Sequence, residues 1–244
     1  MSTSGPAFYD DDAVFATYIA RRQRSDSPNN TLEQPVILEL AGDLAGRRVL
    51  DLGCGDAAFG RMVLAHGGSA YVGVEGSRNM AAVARETLAG TNGRVQHCTI
   101  EEWEAPKAAF DLAVARLSLH YLADLAPTFA RVYQALAVGG RFVFSVEHPV
   151  ITSCDRGWPA GTLRQDWVVD DYFVTGARET MWMGGAVRKY HRTVEDYFHA
   201  LQQAGFVVER LRESRPQRKQ FADEQAYARR QRIPLFLFLV GCRM

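Results

Sequence analysis

A chain of 244 residues, 47% apolar and 23% charged, has the makeup of an ordinary globular protein with one large core and room for a modest elaboration. Its 28 basic and 28 acidic residues leave no net field to collect a polyanion, which disfavours nucleic acid. The start, MSTSGPAFYDDD, is no secretory signal, and the most apolar tract, 235–240, is too short for a bilayer. Cys54, Cys98, Cys154 and Cys242 show no C-x-x-C spacing, so a soluble cytoplasmic protein without metal or disulfides is expected.

Phe8, Val14, Phe15, Tyr18 and Ile19 recur at near-helical spacing, which predicts an amphipathic helix over 8–23 after the capping-competent Asp10 to Asp12. That helix either packs on the body of the protein or, with residues 1–31, folds over a ligand as a lid; the Tyr18 ring face is suited to shielding a cation. After the polar link Ser25 to Thr31, Leu32 to Leu44 reads as a helix. From Gly46 onward, strands at about 48–52, 70–74, 94–98, 110–115 and 141–146 alternate with helices at about 58–66, 78–89 and 124–137, the last ended by Gly139-Gly140. Such alternation is the mark of an α/β fold with a parallel sheet and right-handed crossovers.

The stretch 49–60, VLDLGCGDAAFG, is a buried strand breaking into a glycine-paired turn that opens a helix, so free N–H groups face whatever lies above the strand. Twenty residues after Gly55, the second strand ends in Glu75, placed to accept both hydroxyls of a ribose. The third strand ends in Glu101-Glu102, and the fourth runs into Arg116-Leu117-Ser118-Leu119-His120. A dinucleotide fingerprint needs G-x-G-x-x-G, whereas Gly60 falls five positions after Gly55. Asp51, just before the loop, suits a cationic ammonium better than a phosphate.

The rhythm breaks after Pro149. Residues 150–192 hold Trp158, Trp167 and Trp182 and the short β-like runs 167–169 and 187–190, an insertion whose aromatic walls would cap the crevice where a second substrate docks. Thr193 to Ala204 is a capped helix, 206–211 a sixth strand and 235–240 a seventh. The basic link 212–232, with a helix at about 222–230, reads as a solvated face.

The chain resembles the class I S-adenosylmethionine-dependent methyltransferases, through VLDLGCGDAAFG, YVGVEGS, CTIEEW, FDLAVARLSLHYL and LAVGGRFVFSVEHP in that order over residues 45–150. One departure is Ala57, where a third glycine is common. The resemblance implies a Rossmann-like seven-stranded sheet of order 3-2-1-4-5-7-6, its last strand antiparallel, with helices on both faces and the insertion after strand 5, in a single domain spanning 1–244. It implies S-adenosyl-L-methionine as cofactor and S-adenosyl-L-homocysteine as product. The cofactor-binding set implied is Tyr18, Asp51, Gly53, Cys54, Gly55, Glu75, Gly76, Ser77, Met80, Ile100, Glu101, Arg116 and Leu117. The loop would take the methionine end, Glu75 the ribose, and Ile100 with Glu101 the adenine.

A methyl group on a sulfonium is already activated, so the chain's task is to orient a nucleophile and, for an O–H or N–H acceptor, to remove its proton. His120, His148 and His191 are the candidate bases, and Tyr121, Trp167, Tyr190 and Arg192 the candidate acceptor contacts. Neutral charge, the aromatic insertion and the lack of an N/D-P-P-Y/F motif favour a small organic acceptor of specialised metabolism, methylated on oxygen or nitrogen, in a monomer or homodimer with no membrane partner. The alternative is a protein of the same fold that binds the cofactor without transferring methyl, as a cyclase or a ligand-sensing partner.

Overall fold

The computed structural model describes residues 3–22, 24, 26–157 and 166–244. Gln23, Ser25 and Trp158, assigned above to the first helix, the polar link and the insertion, lie outside the described residues. The chain opens with α1 (Gly5–Tyr9), α2 (Asp12–Arg22) and α3 (Gln34–Ala41). Strands β1 (Arg48–Leu52), β2 (Ala70–Glu75), β3 (Gly93–His97), β4 (Phe110–Arg116) and β5 (Leu136–Glu147) then alternate with α4 (Ala58–Ala65), α5 (Arg78–Thr87) and α6 (Ala126–Ala135). After α7 (Pro149–Thr152) comes a hairpin of β6 (Gly176–Trp182) and β7 (Gly185–His191), followed by α8 (Val194–Gln203), β8 (Val207–Glu213), α9 (Glu224–Arg230) and β9 (Phe236–Cys242).

The seven-stranded sheet runs β3-β2-β1-β4-β5-β9-β8. Its first five strands are parallel, and β9 lies antiparallel between β5 and β8. This is the expected order, with the separate β6–β7 hairpin left out of the count. Strands covered on both faces read as continuous apolar runs, and β9 (FLFLVGC) is buried at every position. Side chains alternate across the pleat. Leu50, Leu52, Phe142 and Phe144 therefore join Phe129 and Leu201 in one core layer, while Val49, Val114, Val143 and Phe238 join Ile37, Leu40 and Tyr71 in the other. No helix among the described residues is long and apolar enough to cross a membrane.

The structure corrects four local expectations. The helix predicted over 8–23 is two, because Asp11 Oδ1 accepts from the N–H groups of Ala13 and Val14 and starts α2 afresh. The helix predicted over 32–44 is a π turn at Asn29–Glu33 running into α3, which stops before Gly42 (φ +71). Gly139-Gly140 does not end a helix: α6 stops at Ala135, and the pair lies inside β5, bonded to Arg243 through Gly139 N–H and Gly140 C=O. Residues 167–169 form no strand. Instead the Trp167 indole donates to the Val150 carbonyl at 2.8 Å and Val168 N–H to Gly157 C=O at 2.9 Å.

Candidate active site

β1 delivers Asp51 to the rim of the sheet, and the chain then turns through Gly53 (φ +73), Gly55 (φ +58) and Ala57 (φ +52) into α4. At Gly53 a Cβ would stand 2.5 Å from Ser118 Cβ, so only glycine fits the cradle. Ala57 takes the left-handed conformation that favours the glycine it replaces. Glu75, closing β2, is clamped by backbone: Gly55 N–H donates to Oε2 and Ser77 N–H to Oε1, each at 2.8 Å. Burial pushes its carboxyl up to about 7, and each oxygen keeps a lone pair for one more donor. Asp51 accepts the Tyr71 hydroxyl at 2.7 Å through one oxygen, while Oδ1 is buried without a partner; burial raises this carboxyl to about 6.

These groups line a cavity of about 930 Å³ over the carboxyl ends of β1, β2, β4 and β5. In doubly wound sheets, ligands bind where the strand order reverses, here between β1 and β4. Of the expected cofactor set, Tyr18, Cys54, Gly76, Met80, Ile100, Glu101, Arg116 and Leu117 also line it. Ser77 does not: its hydroxyl accepts Met80 N–H to cap α5 and donates to Asp10 Oδ1 at 2.8 Å. Arg116 is tied to the fully buried Glu33, which also accepts the Ser145 hydroxyl at 2.9 Å.

The three candidate bases separate. His120 lines the cavity, 2% exposed, with Nδ1 unpartnered, and burial pushes its imidazole down to about 4. His148 is outside the lining: Nδ1 accepts Val150 N–H to cap α7, and Nε2 meets Glu213 at 3.0 Å. His191 is also outside, with Nδ1 on the Thr152 hydroxyl at 2.7 Å and Nε2 on the Tyr172 carbonyl at 2.9 Å. Both therefore join segments to the sheet or hairpin. Tyr121 and Trp167 line the cavity, whereas Tyr190 and Arg192 do not. Arg192 donates to the carbonyls of Leu122 and Ala123, each at 2.7 Å, and so steadies the turn that carries His120.

Sequence reasoning missed Asp10, Glu147 and Lys189. Asp10 accepts from the Ser77 hydroxyl and from Asn79 N–H at 3.1 Å, fastening α1 to the start of α5. Glu147 and Lys189 form a 2.6 Å ion pair at the far end of the cavity, 42 residues apart in the chain. Strand parity held a signal: Val187, Lys189 and His191 share the buried face of β7, and Tyr190 takes the other.

A methyltransferase-domain family profile matches residues 50–142. The crystal structure of an S-adenosylmethionine-dependent methyltransferase from Mesorhizobium loti superimposes with a TM-score of 0.81 at 35% identity, covering 86% of this chain and 97% of that one. This chain belongs to the S-adenosylmethionine-dependent methyltransferase family. An uncharacterized protein of Haemophilus influenzae is 29% identical over 84% of this chain and 85% of its own length. The trans-aconitate 2-methyltransferase of Acidovorax sp. is 37% identical over 106 residues, 43% of this chain and 39% of that enzyme.

The methyltransferase's residues fit the family cofactor, S-adenosyl-L-methionine. The Gly53 cradle admits a ligand against bare backbone, the clamped Glu75 offers two acceptors to a diol, and the unpartnered Asp51 Oδ1 offers one to an ammonium. Tyr9 and Tyr18, edge to face at 4.9 Å, come from the N-terminal helices to the same space.

Proposed function

We propose that the chain transfers the methyl group of S-adenosylmethionine to a hydroxyl or amine of a small organic acceptor, with His120 taking the proton. The observation that carries this reading is the continuity of one cavity from the Gly53 and Glu75 end to His120, a lining residue whose buried Nδ1 has no hydrogen-bond partner. When bound, the cofactor supplies a methyl group already activated on a sulfonium. The chain's own residues do the rest. Glu75 and Asp51 hold the donor's sugar and amino acid ends, and α1 and α2 act as a lid that excludes water, which helps an in-line approach. The described residues of 150–192 serve as the acceptor cap, where Trp167 and Trp182 join Tyr121 as apolar walls. The short acceptor named for the Acidovorax relative supports a small substrate.

At neutral pH the His120 imidazole is uncharged, since burial lowers it to about 4, so its lone pair is open; the same burial makes it a weak base, supported as it gains a proton by the Glu147 carboxylate. A base with that pKa stays competent at every pH well above 4. Maximal turnover should therefore hold level from about pH 5.5 to 8, where an ordinary imidazole titrates; a half-loss near pH 6.5 would remove His120 from the role. His120→Ala lowers kcat with little change in affinity for S-adenosylhomocysteine, whereas His148→Ala acts on stability. Glu75→Ala weakens that affinity by at least about tenfold in calorimetry, the scale of losing one hydrogen bond to a charged group. Mass analysis of incubations with candidate acceptors checks the reaction. One added methyl with S-adenosylhomocysteine supports transfer, and release of methylthioadenosine replaces it with cyclisation.

A further inference from the structure

The acceptor end of the cavity carries more positive charge than its own carboxylates balance. Trp182, the last residue of β6, has two cations beside its ring, with the Arg21 guanidinium 4.8 Å and the Lys189 ammonium 5.1 Å from the centroid. Lys189 is 3% exposed and also lies 6.0 Å from the Tyr121 ring. Its bond to Glu147 uses one of the three donors of an ammonium. Glu147 is thereby matched, and among the described residues Arg21 has no carboxylate within ion-pair distance. Deeper in the cavity the cations are committed, Arg22 to Asp56 at 3.8 Å and Arg116 to Glu33. Arg21, Lys189 and Glu147 together leave a single surplus positive charge.

The unpartnered atoms nearby have the matching chemistry. Two of the three Lys189 donors remain after its bond to Glu147. A buried ion pair is often no more stabilising than well-packed apolar side chains, so stability alone does not account for Lys189 and Glu147 among Tyr121 and Trp182. A cationic acceptor would meet two cations here. A neutral one could accept hydrogen bonds here but would leave the surplus charge unmatched.

Resting on the reading that the acceptor docks in this cavity, we propose that the acceptor is a small organic acid whose carboxylate is anchored by Lys189 and Arg21 beside the Trp182 indole. Its carbon skeleton packs on Trp182 and Tyr121. One surplus charge suits a monocarboxylate better than a phosphate dianion, and Glu147 holds the Lys189 ammonium in place while repelling a second acidic group.

The test uses the full chain saturated with S-adenosylhomocysteine and saturation-transfer NMR with three probes: cinnamate, cinnamamide and phenethylamine. Cinnamate should bind at least about tenfold more tightly than the other two, the factor expected from one charge-assisted contact. Arg21→Gln, at an exposed position, weakens cinnamate, and the double variant Lys189→Met/Glu147→Gln, which strands no buried charge, abolishes the preference for acid over amide. Affinity for S-adenosylhomocysteine is measured first on each protein. Its absence from the parent overturns the methyltransferase reading, whereas its presence without cinnamate binding overturns the acid anchor alone. Equal binding of acid and amide, stronger binding of the amine, or an undiminished preference in the double variant likewise overturns the anchor.

Discussion

Asp51 owes its position to residues that no local pattern links to it. Its Oδ2 accepts the hydroxyl of Tyr71, whose ring packs against Gly60, where a Cβ would come within 2.3 Å of the aromatic carbons. That contact gives Gly60 a packing role unrelated to any phosphate. Burial, reinforced by Glu33 and Asp56 and opposed by the Tyr71 hydrogen bond and Arg116, raises the Asp51 carboxyl from 3.8 to about 6. With the folded value above the unfolded one, the favourable protonated state is fully present below pH 3.8, and its contribution is lost as pH rises through 6. The cost of holding the carboxylate in the ligand-free protein at neutral pH is on the order of 3 kcal/mol. Asp51→Asn should therefore raise Tm at pH 7, leave it nearly unchanged at pH 4, and weaken S-adenosylmethionine binding. Melting curves across that range check the sign, and a constant Tm increment at all pH values would contradict it. Asp51 itself was legible as an acid before a glycine loop; its Tyr71 partner was not, because only the pairing of β1 with β2 brings them together.

At the scale of elements, the N-terminal helices are held from two sides. Asp10 binds the start of α5, while Phe8 and Val14 pack with Val187 of β7, and Thr3 bridges to that same residue. The apolar spacing revealed a helical segment; the break follows locally from Asp11 capping α2, while Asp10 takes partners at the start of α5 that lie 67 and 69 residues away. Removing both bonds with Asp10→Ala should free this segment locally without unfolding the sheet. Hydrogen exchange over residues 5–22 should accelerate, and stopped-flow dissociation of S-adenosylhomocysteine should quicken by roughly tenfold, the worth of one hydrogen bond to a charged group. Unchanged dissociation with faster exchange would separate the segment from ligand retention. The hairpin tells a similar story: residues 187–190 were readable as a strand, yet choosing Lys189 over Tyr190 required knowing which face meets the cavity.

For the whole molecule, the cavity draws its walls from the sheet, the N-terminal helices and the hairpin, so one ligand bridges parts far apart in the chain. Binding only the folded state stabilises it by mass action, about 2.7 kcal/mol at one hundred times Kd. In a chain of this size that amounts to a Tm rise of about 5–10 °C for S-adenosylhomocysteine. Thermal shift measurements test this, and a rise that vanishes in Glu75→Ala would tie it to the ribose clamp.

The alternation of strands and helices, the glycine turn, Asp51 and Glu75 were legible in the sequence alone, and the strand order through the family resemblance of its motifs, because a parallel sheet writes itself as alternating apolar runs and a nucleoside site collects at strand ends close to them in the chain. The acceptor end was decided by tertiary structure. Glu147, Lys189, Trp182 and Arg21 come from four separate segments and meet only when the hairpin and the N-terminal helices close over the sheet. Three histidines after strands looked equivalent in one dimension. Only folding left one lining the cavity with an unpartnered nitrogen, because the hydrogen-bonding needs of α7 and β7 engaged the other two.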